Sequence, residues 1–316
     1  MGERTGLGVV EIALLEALET SQFLRCDKAL ASVEERIGLA PGYAYEVLVD
    51  LARPWTMPVN LVQGQGNFGS RRNDPPANFR YTEARVTRAG RAALAAERGE
   101  MAPLPIAIIN GNTHRAGLRP PFRPHAVIDA VREAIKRPGV TDAELTGMVG
   151  PPYFMTGCTV AGDLTALAAG RRTQLSLQAQ VSISDDRRTV VIGNIPPNIS
   201  TDDTASIIAS RARAPRWASD HPGLRRITHL PVADLRDETS DRSSSFGRIV
   251  CIPTPGTPPE QLRDMLLDVT GVRTTMPVAL TRPLPALIRH WVRTNASEDL
   301  LAGLAALEHA IPSRQS

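Results

Sequence analysis

Residues 61–85, "LVQGQGNFGSRRNDPPANFRYTEAR", restrict this chain more than any other stretch. Gly64, Gly66 and Gly69 fit the pattern G-x-G-x-x-G, Leu61 and Val62 form a short apolar run before them, and Glu83 stands near the offset of a ribose-binding acid. A dinucleotide site requires more than this. The third glycine must open a helix whose N-terminal amides receive the pyrophosphate. Here the chain runs from Gly69 into Arg71, Arg72, Asn73, Asp74, Pro75 and Pro76, where paired prolines remove donors and fix φ. No helix is expected to start there, so the glycines are read as shaping a turn.

The segments around it read as follows. Val10, Leu14 and Leu18 recur at four-residue spacing, which predicts an amphipathic helix over 8–20. A second helix is expected near Asp27–Ile37 with Asp27 as its cap, and a third over Tyr43–Arg53, after a Pro41-Gly42 break and before Pro54. Three short helices followed by strands and a glycine turn suggest a helix-turn-helix or winged-helix module. Beyond it, residues 84–101 read as helix, 103–110 as strand and 127–135 as helix closed by Pro138-Gly139. Leu175, Leu177, Val181 and Ile183 alternate on one face, turn at "SDDRR" and return as "TVVIGNI", the pattern of a hairpin. Residues 205–212 read as helix, 247–253 as strand and 259–271 as helix. The order predicts a mixed α/β (α+β) multidomain protein.

Composition sets broad limits. A chain of 316 residues buries a substantial core and is expected to divide into two domains; 42% apolar residues is ordinary for a water-exposed fold. No run of eighteen apolar residues occurs and the N-terminus lacks the order of a signal peptide, so a cytoplasmic protein with no membrane association is expected. Cys26, Cys158 and Cys251 are odd in number and far apart, which predicts small buried hydrophobes rather than a disulfide framework or zinc cluster. The six histidines are scattered without ligand spacing, so no metal is assigned to the chain itself. The net charge of +3 proves no nucleic-acid partner, yet residues 53–100 hold eight arginines against four acids, and arginine suits bidentate phosphate contacts.

The glycine stretch and its sequel, "GQGNFGS" leading into "RYTEAR", closely resemble the active-site segment of bacterial type IIA topoisomerase A subunits, DNA gyrase A and topoisomerase IV A. Weaker similarities follow in the same order: "GLGVVEIALLEAL" resembles the first helix of the winged-helix domain and "APLPIAIING" the segment after the active site. "GPPYFMTGC", "DLRDETSDRSSSFGRIVCI" and "LLDVTGVRTTMPVAL" are similar to parts of the tower domain. The resemblance implies a winged-helix domain with the active-site tyrosine over 1–102, a tower-like strand-and-helix domain over 103–285, and C-terminal helices over 286–316 that are a remnant of the coiled-coil arm.

Its functional implication is transient DNA cleavage and religation. Tyr81 would attack a phosphodiester to form a 5′-phosphotyrosyl bond, Arg80 would stabilise charge on the phosphoryl oxygens, and Arg71, Arg72, Arg85, Thr56, Asn112 and Thr113 would contact DNA. Mg2+ and ATP are expected only through a partner of the gyrase B type, with none bound by this chain. Pairing of two copies through the winged-helix domains is also implied.

The sequence departs from the family pattern in several places. "GLAPGYAYE" stands where the family carries His-Pro-His-Gly-Asp, and the basic positions of the first helix fall on Glu11, Ile12 and Ala13. The groove-entering helix carries Glu46 and Asp50 against a terminal Arg53, and "NTHRAG" replaces the segment with the intercalating apolar residue. The chain reads as truncated and divergent, without the N-terminal arm, the C-gate or the DNA-wrapping domain. Two functional expectations follow: a shortened cleaving enzyme that needs a B-type subunit, or a catalytically weakened relative that regulates topology by binding DNA or a gyrase subunit.

Overall fold

The computed structural model describes residues 4–111, 119–214, 229–240, 247–293 and 297–311. Over these residues the protein is mixed α/β, with three antiparallel sheets, as the sequence order predicted.

The chain opens with α1 (Val9–Ala17), a two-residue strand β1 (Leu24–Arg25), α2 (Cys26–Ile37) and α3 (Pro41–Ala52). Ile12, Ala13, Leu14 and Leu15 are all buried, so α1 is enclosed nearly all round rather than amphipathic. Two cap expectations change. Asp27 lies inside the first turn of α2, where it takes an ion pair from Arg25, the N-cap residue. Pro41 does not break the chain but occupies the first turn of α3, where its missing N–H would have had no intrahelical partner anyway.

After α3 come β2 (Val62–Gln65), a 3-10 turn (Phe79–Tyr81), β3 (Glu83–Val86) and α4 (Arg88–Glu97). The strands form a small sheet in the order β1-β3-β2, with Gln65 opposite Glu83 and Val62 opposite Val86. The helix expected over 84–101 is thus partly strand. Ala84 and Val86 alternate inward with Glu83 and Arg85 between them, and Thr87 caps α4 by accepting the Gly90 N–H.

The strand expected over 103–110 is the short helix α5 (Ile106–Asn110), which follows two prolines. Next are α6 (Pro124–Lys136), α7 (Asp142–Val149), β4 (Thr159–Gly162), α8 (Leu164–Ala168), β5 (Thr173–Gln178), β6 (Gln180–Ile183) and β7 (Val190–Gly193). The remaining elements are α9 (Thr201–Arg213), β8 (Val232–Asp237), β9 (Arg248–Pro253), α10 (Pro259–Leu266), β10 (Arg273–Val278), α11 (Leu284–Arg293) and α12 (Ser297–Ala310).

The alternating run that ends at Ile183 is two strands. Its first half is β5, in a sheet ordered β10-β5-β4, and its second half is β6, in a sheet ordered β6-β7-β9-β8. Ala179 is the crossing point, buried and donating its N–H to the Val272 carbonyl at 2.8 Å. Period-two alternation is the same on either side of such a crossing, so the pattern does not reveal it.

Two buried clusters result. The larger joins α1–α7 with β5, β10, α11 and α12 through residues such as Leu14, Leu48, Leu94, Ile128, Leu177 and Leu304. The smaller lies between the four-stranded sheet and α9 and α10, with Ile192, Ile208, Ile249, Leu262 and Leu266 at its centre. Cys26, Cys158 and Cys251 are free and buried, and burial pushes the Cys26 thiol up to about 11, raises Cys158 and pushes Cys251 up to about 12. All three act as small core residues. Among the described residues no helix is long and apolar enough to cross a membrane, and no group of three His, Cys, Asp or Glu side chains is placed to hold a metal.

Candidate active site

The glycine stretch forms the end of β2 and the turn beyond it. Instead of a phosphate-binding helix, an irregular loop runs from Asn67 to Asn78 and delivers the chain to the 3-10 turn, which removes the dinucleotide reading. Two glycines are required by close approach. Gly66 has φ +102°, and a Cβ there would sit 3.1 Å from the Tyr81 carbonyl oxygen; Gly69 has φ +91°, and its Cβ would lie 2.4 Å from a guanidinium nitrogen of Arg53. The first glycine therefore lets the loop fold onto the backbone of Tyr81 itself.

Tyr81 is 79% exposed, at the end of a turn whose backbone is held on every side. Its N–H donates to the Asn78 carbonyl at 2.8 Å, while the Asn78 side chain accepts the Arg80 N–H at 3.1 Å. Next door, Thr82 is fully buried and its carbonyl accepts the Cys26 N–H at 2.9 Å. Beneath the turn the Tyr45 hydroxyl donates to the Ala77 carbonyl at 2.8 Å and lies 3.1 Å from the Thr82 hydroxyl. The Tyr45 ring meets Phe79 edge-on, with centroids 5.6 Å apart. The Tyr81 side chain is thus exposed on a turn tied down by backbone and side-chain bonds.

Arg80 is exposed beside it. Of the other expected DNA contacts, Arg85 stays near the surface of the same sheet, its Nε donating to Gln63 at 3.0 Å and its guanidinium 4.5 Å from the Phe23 ring centroid. Thr56 turns its hydroxyl inward, onto the carbonyls of Asp50 and Arg53 at 2.6 and 2.8 Å. Asn112 and Thr113 lie outside the described residues.

Arg71 and Arg72 do not face outward together as phosphate contacts would. Arg71 is only 6% exposed, and its guanidinium donates to the carbonyls of Ile195, Pro196, Pro197 and Ile199. Burial pushes its pKa down to about 10, so it remains ionised at neutral pH. Arg72 forms an ion pair with Asp237 at 3.2 Å and donates to the carbonyls of Asp237 and Thr239. Arg71 thus reaches the link between β7 and α9 and Arg72 the end of β8, because the turn at 70–74, closed by the Ser70–Asp74 hydrogen bonds, directs the chain that way.

The outer face of α3 carries Tyr43, Glu46 and Asp50, with Tyr43 68% exposed. Arg53 pairs with Asp50 at 3.8 Å while its Nε donates to the Phe68 carbonyl at 2.8 Å, and burial, partly countered by Asp50, lowers its pKa; Glu46 stays exposed. On α1, Glu11 accepts the Gly8 N–H at the helix start, while Ile12 and Ala13 are core. Sequence reasoning missed Tyr45 and Asn78 as supports of the turn. Asn78, an Asx-turn former three residues before Tyr81, carried a readable signal; Tyr45 carried none, since an aromatic on a helix is ordinary core.

Comparison with known proteins gives consistent matches. Residues 43–102 match the family of DNA gyrase/topoisomerase IV A subunits. The chain is 31% identical to the DNA gyrase A protein of Thermotoga maritima over 261 residues, covering 74% of this chain and 31% of the relative. It is 28% identical to that of Mycobacterium bovis over 369 residues, covering 96% and 44%, and 31% identical to that of Haloquadratum walsbyi over 248 residues, covering 71% and 27%. The chain thus spans less than half the length of these curated relatives.

Proposed function

From the premise that this chain belongs to the DNA gyrase/topoisomerase IV A-subunit family, we propose that it binds duplex DNA and cleaves and reseals it through Tyr81. The observation that carries this reading is the exposed Tyr81 on a turn fixed by Gly66, Tyr45 and Asn78, inside the matched segment. In the step proposed, the Tyr81 oxygen forms a bond to a backbone phosphorus, the bond from that phosphorus to the 3′ oxygen breaks, the phenol gives up its proton and the departing 3′ oxygen takes one. One phosphodiester is exchanged for another, so the step is reversible and resealing runs it backwards. Arg80 is the adjacent cation for the charge that builds on the phosphoryl oxygens, and Arg85 a contact to the neighbouring backbone.

Among the described residues no acids gather around Tyr81 as a metal site would need: Glu83 is the one carboxylate between Phe79 and Val86, and it lies in the sheet opposite Arg25 and Gln65. Magnesium and ATP chemistry, in this reading, arrive with a B-type subunit, and the active unit holds two copies of this chain. Residues 1–102 are taken as a winged-helix domain with the tyrosine, 103–285 as tower-like, and 286–316 as helices related to the coiled-coil arm.

The test is trapping. The protein, supercoiled plasmid, magnesium and a B-type subunit are mixed and quenched with detergent, with Tyr81→Phe alongside. Protein-linked nicked or linear DNA from the wild type alone supports the reading; equal amounts from both contradict it.

One observation favours a second reading, a relative that regulates a gyrase rather than cutting DNA. The outer face of α3 presents the exposed acid Glu46, with Asp50 paired to Arg53 and no cation left facing outward from these three residues, and an acid facing a phosphate repels it. Under this reading the wild type gives no adduct but is retained by a gyrase subunit in a pull-down. Absence of retention by DNA at low salt and by every gyrase subunit would remove it.

A further inference from the structure

We infer that Arg71 is a positioning residue for the chemistry proposed at Tyr81, locking the tyrosine loop to the link between β7 and α9 so that the phenol is held in its reactive geometry. The inference rests on the proposed role of Tyr81, and it replaces the phosphate contact expected of Arg71.

Arg71 is bound from both its ends. One guanidinium nitrogen lies 2.9–3.2 Å from the carbonyl oxygens of Ile195, Pro196 and Ile199, and the other 3.3 Å from that of Pro197. In return the buried Thr201 donates its N–H to the Arg71 carbonyl at 2.9 Å. These partners belong to the link between β7 and α9, so the loop after Gly69 and the entry to α9 are tied by reciprocal bonds. Arg72 adds a second tie, to Asp237 at the end of β8.

The chemistry of the residue fits the task. Three of the carbonyls converge on one terminal nitrogen and the fourth lies by the other, while the Nε is buried without a partner, so the lysine ammonium, a single nitrogen on a shorter stem, cannot occupy both positions. Among the described residues no carboxylate pairs with Arg71, so its charge is stabilised by carbonyl dipoles alone, a costly burial. That arrangement sits where the chain between Gly69 and Tyr81 crosses onto the second buried cluster. Loss of it would free one side of the loop whose other side Tyr45 and Asn78 hold, and a misplacement of about 1 Å at a reacting group costs on the order of 100-fold.

The test uses the full chain with a B-type subunit, magnesium and supercoiled plasmid, and compares wild type, Arg71→Met and Arg71→Lys. The expected result is a fall of about 10- to 100-fold in the fraction trapped at saturating DNA for both variants, with the DNA concentration for half-maximal trapping moved less than about threefold. A phosphate contact predicts the reverse: half-maximal concentration rises, its salt dependence falls by about one counterion, and lysine rescues. A role in stability alone predicts lower melting temperatures with the saturating fraction unchanged where the variants are folded. Either of these outcomes overturns the inference.

Amide exchange of residues 64–82 in the free protein is the second readout. About tenfold faster exchange there, with α1 and α2 unaltered, is expected for Arg71→Met. Arg71→Lys, which keeps the stem and charge, serves if Arg71→Met does not fold. If wild type yields no adduct, the Tyr81 reading falls and exchange alone judges the tie, unchanged protection at 64–82 refuting it.

Discussion

The two ends of the loop between Gly69 and Thr82 carry arginines put to opposite uses. Arg80 is exposed beside the phenol of Tyr81, whereas Arg71 is buried against four carbonyls of the link between β7 and α9. The residue type and the segment are the same, and the difference comes from where the backbone leads. The 3-10 turn packs Phe79 inward and leaves Arg80 and Tyr81 exposed, while the tight turn at 70–74 directs Arg71 and Arg72 into the seam between the two buried clusters. A cleft of about 320 Å3, lined by Arg53, Trp55, Asp74, Asn198 and Asp203 among others, marks that seam. Local positive charge, then, says little about solvent contact until the turn is known.

The comparison breaks most sharply at Arg80. Arg80→Ala is expected to lower the trapped adduct by about 100- to 1000-fold, while its unfolding free energy stays within about 0.5 kcal/mol of wild type, as for an exposed side chain. Arg71→Ala should do the opposite in a urea melt. It leaves several buried carbonyls without donors, and a loss of about 3 kcal/mol or more is expected. Equal losses of stability in the two variants would erase the contrast between these arginines.

Smaller effects sharpen it. Gly69→Ala places a Cβ against Arg53 at a positive φ, and about 2 kcal/mol of destabilisation is expected by calorimetry. Stability unchanged within error would mean that the loop turns without this glycine. Tyr45→Phe removes only a hydroxyl from beneath the turn, for about 1 kcal/mol. Its signature is faster amide exchange in residues 77–82 with α2 unaffected; uniform exchange would show that the hydroxyl does not secure the turn.

Much of the fold was readable because its elements repeat a period over enough residues. α2, α6 and α9, and the strands β7 and β9, lie where the apolar pattern places them, while α10 begins there but stops at Leu266, short of 271. The failures have specific causes. At 84–101 the alanine-rich helix pattern takes in Ala84–Val86, which belong to β3, because alternation across four residues is too short to stand out. At 103–110 the apolar run has the look of a strand, although Pro105 leads directly into α5. The crossing at Ala179 is tertiary and leaves no trace in the local pattern.

The site divides in the same way. The glycine turn and its tyrosine were legible because the segment is contiguous, and the paired prolines already excluded a phosphate-binding helix. The inward ties were not, since Arg71 meets residues more than a hundred positions away and Thr56 spends its hydroxyl on its own backbone. Long-range partners are set by the packing of the two clusters, which no window of sequence contains.

The most direct measurement locates the covalent bond. Trapped adduct is digested with nuclease and trypsin, and the nucleotide-bearing peptide is sequenced by mass spectrometry. The expected product is a nucleotide linked through its 5′ phosphate to Tyr81 in the peptide 81–85, bounded by Arg80 and Arg85. A nucleotide on any other residue, or none where a gyrase A control is labelled in the same assay, would contradict cleavage through Tyr81.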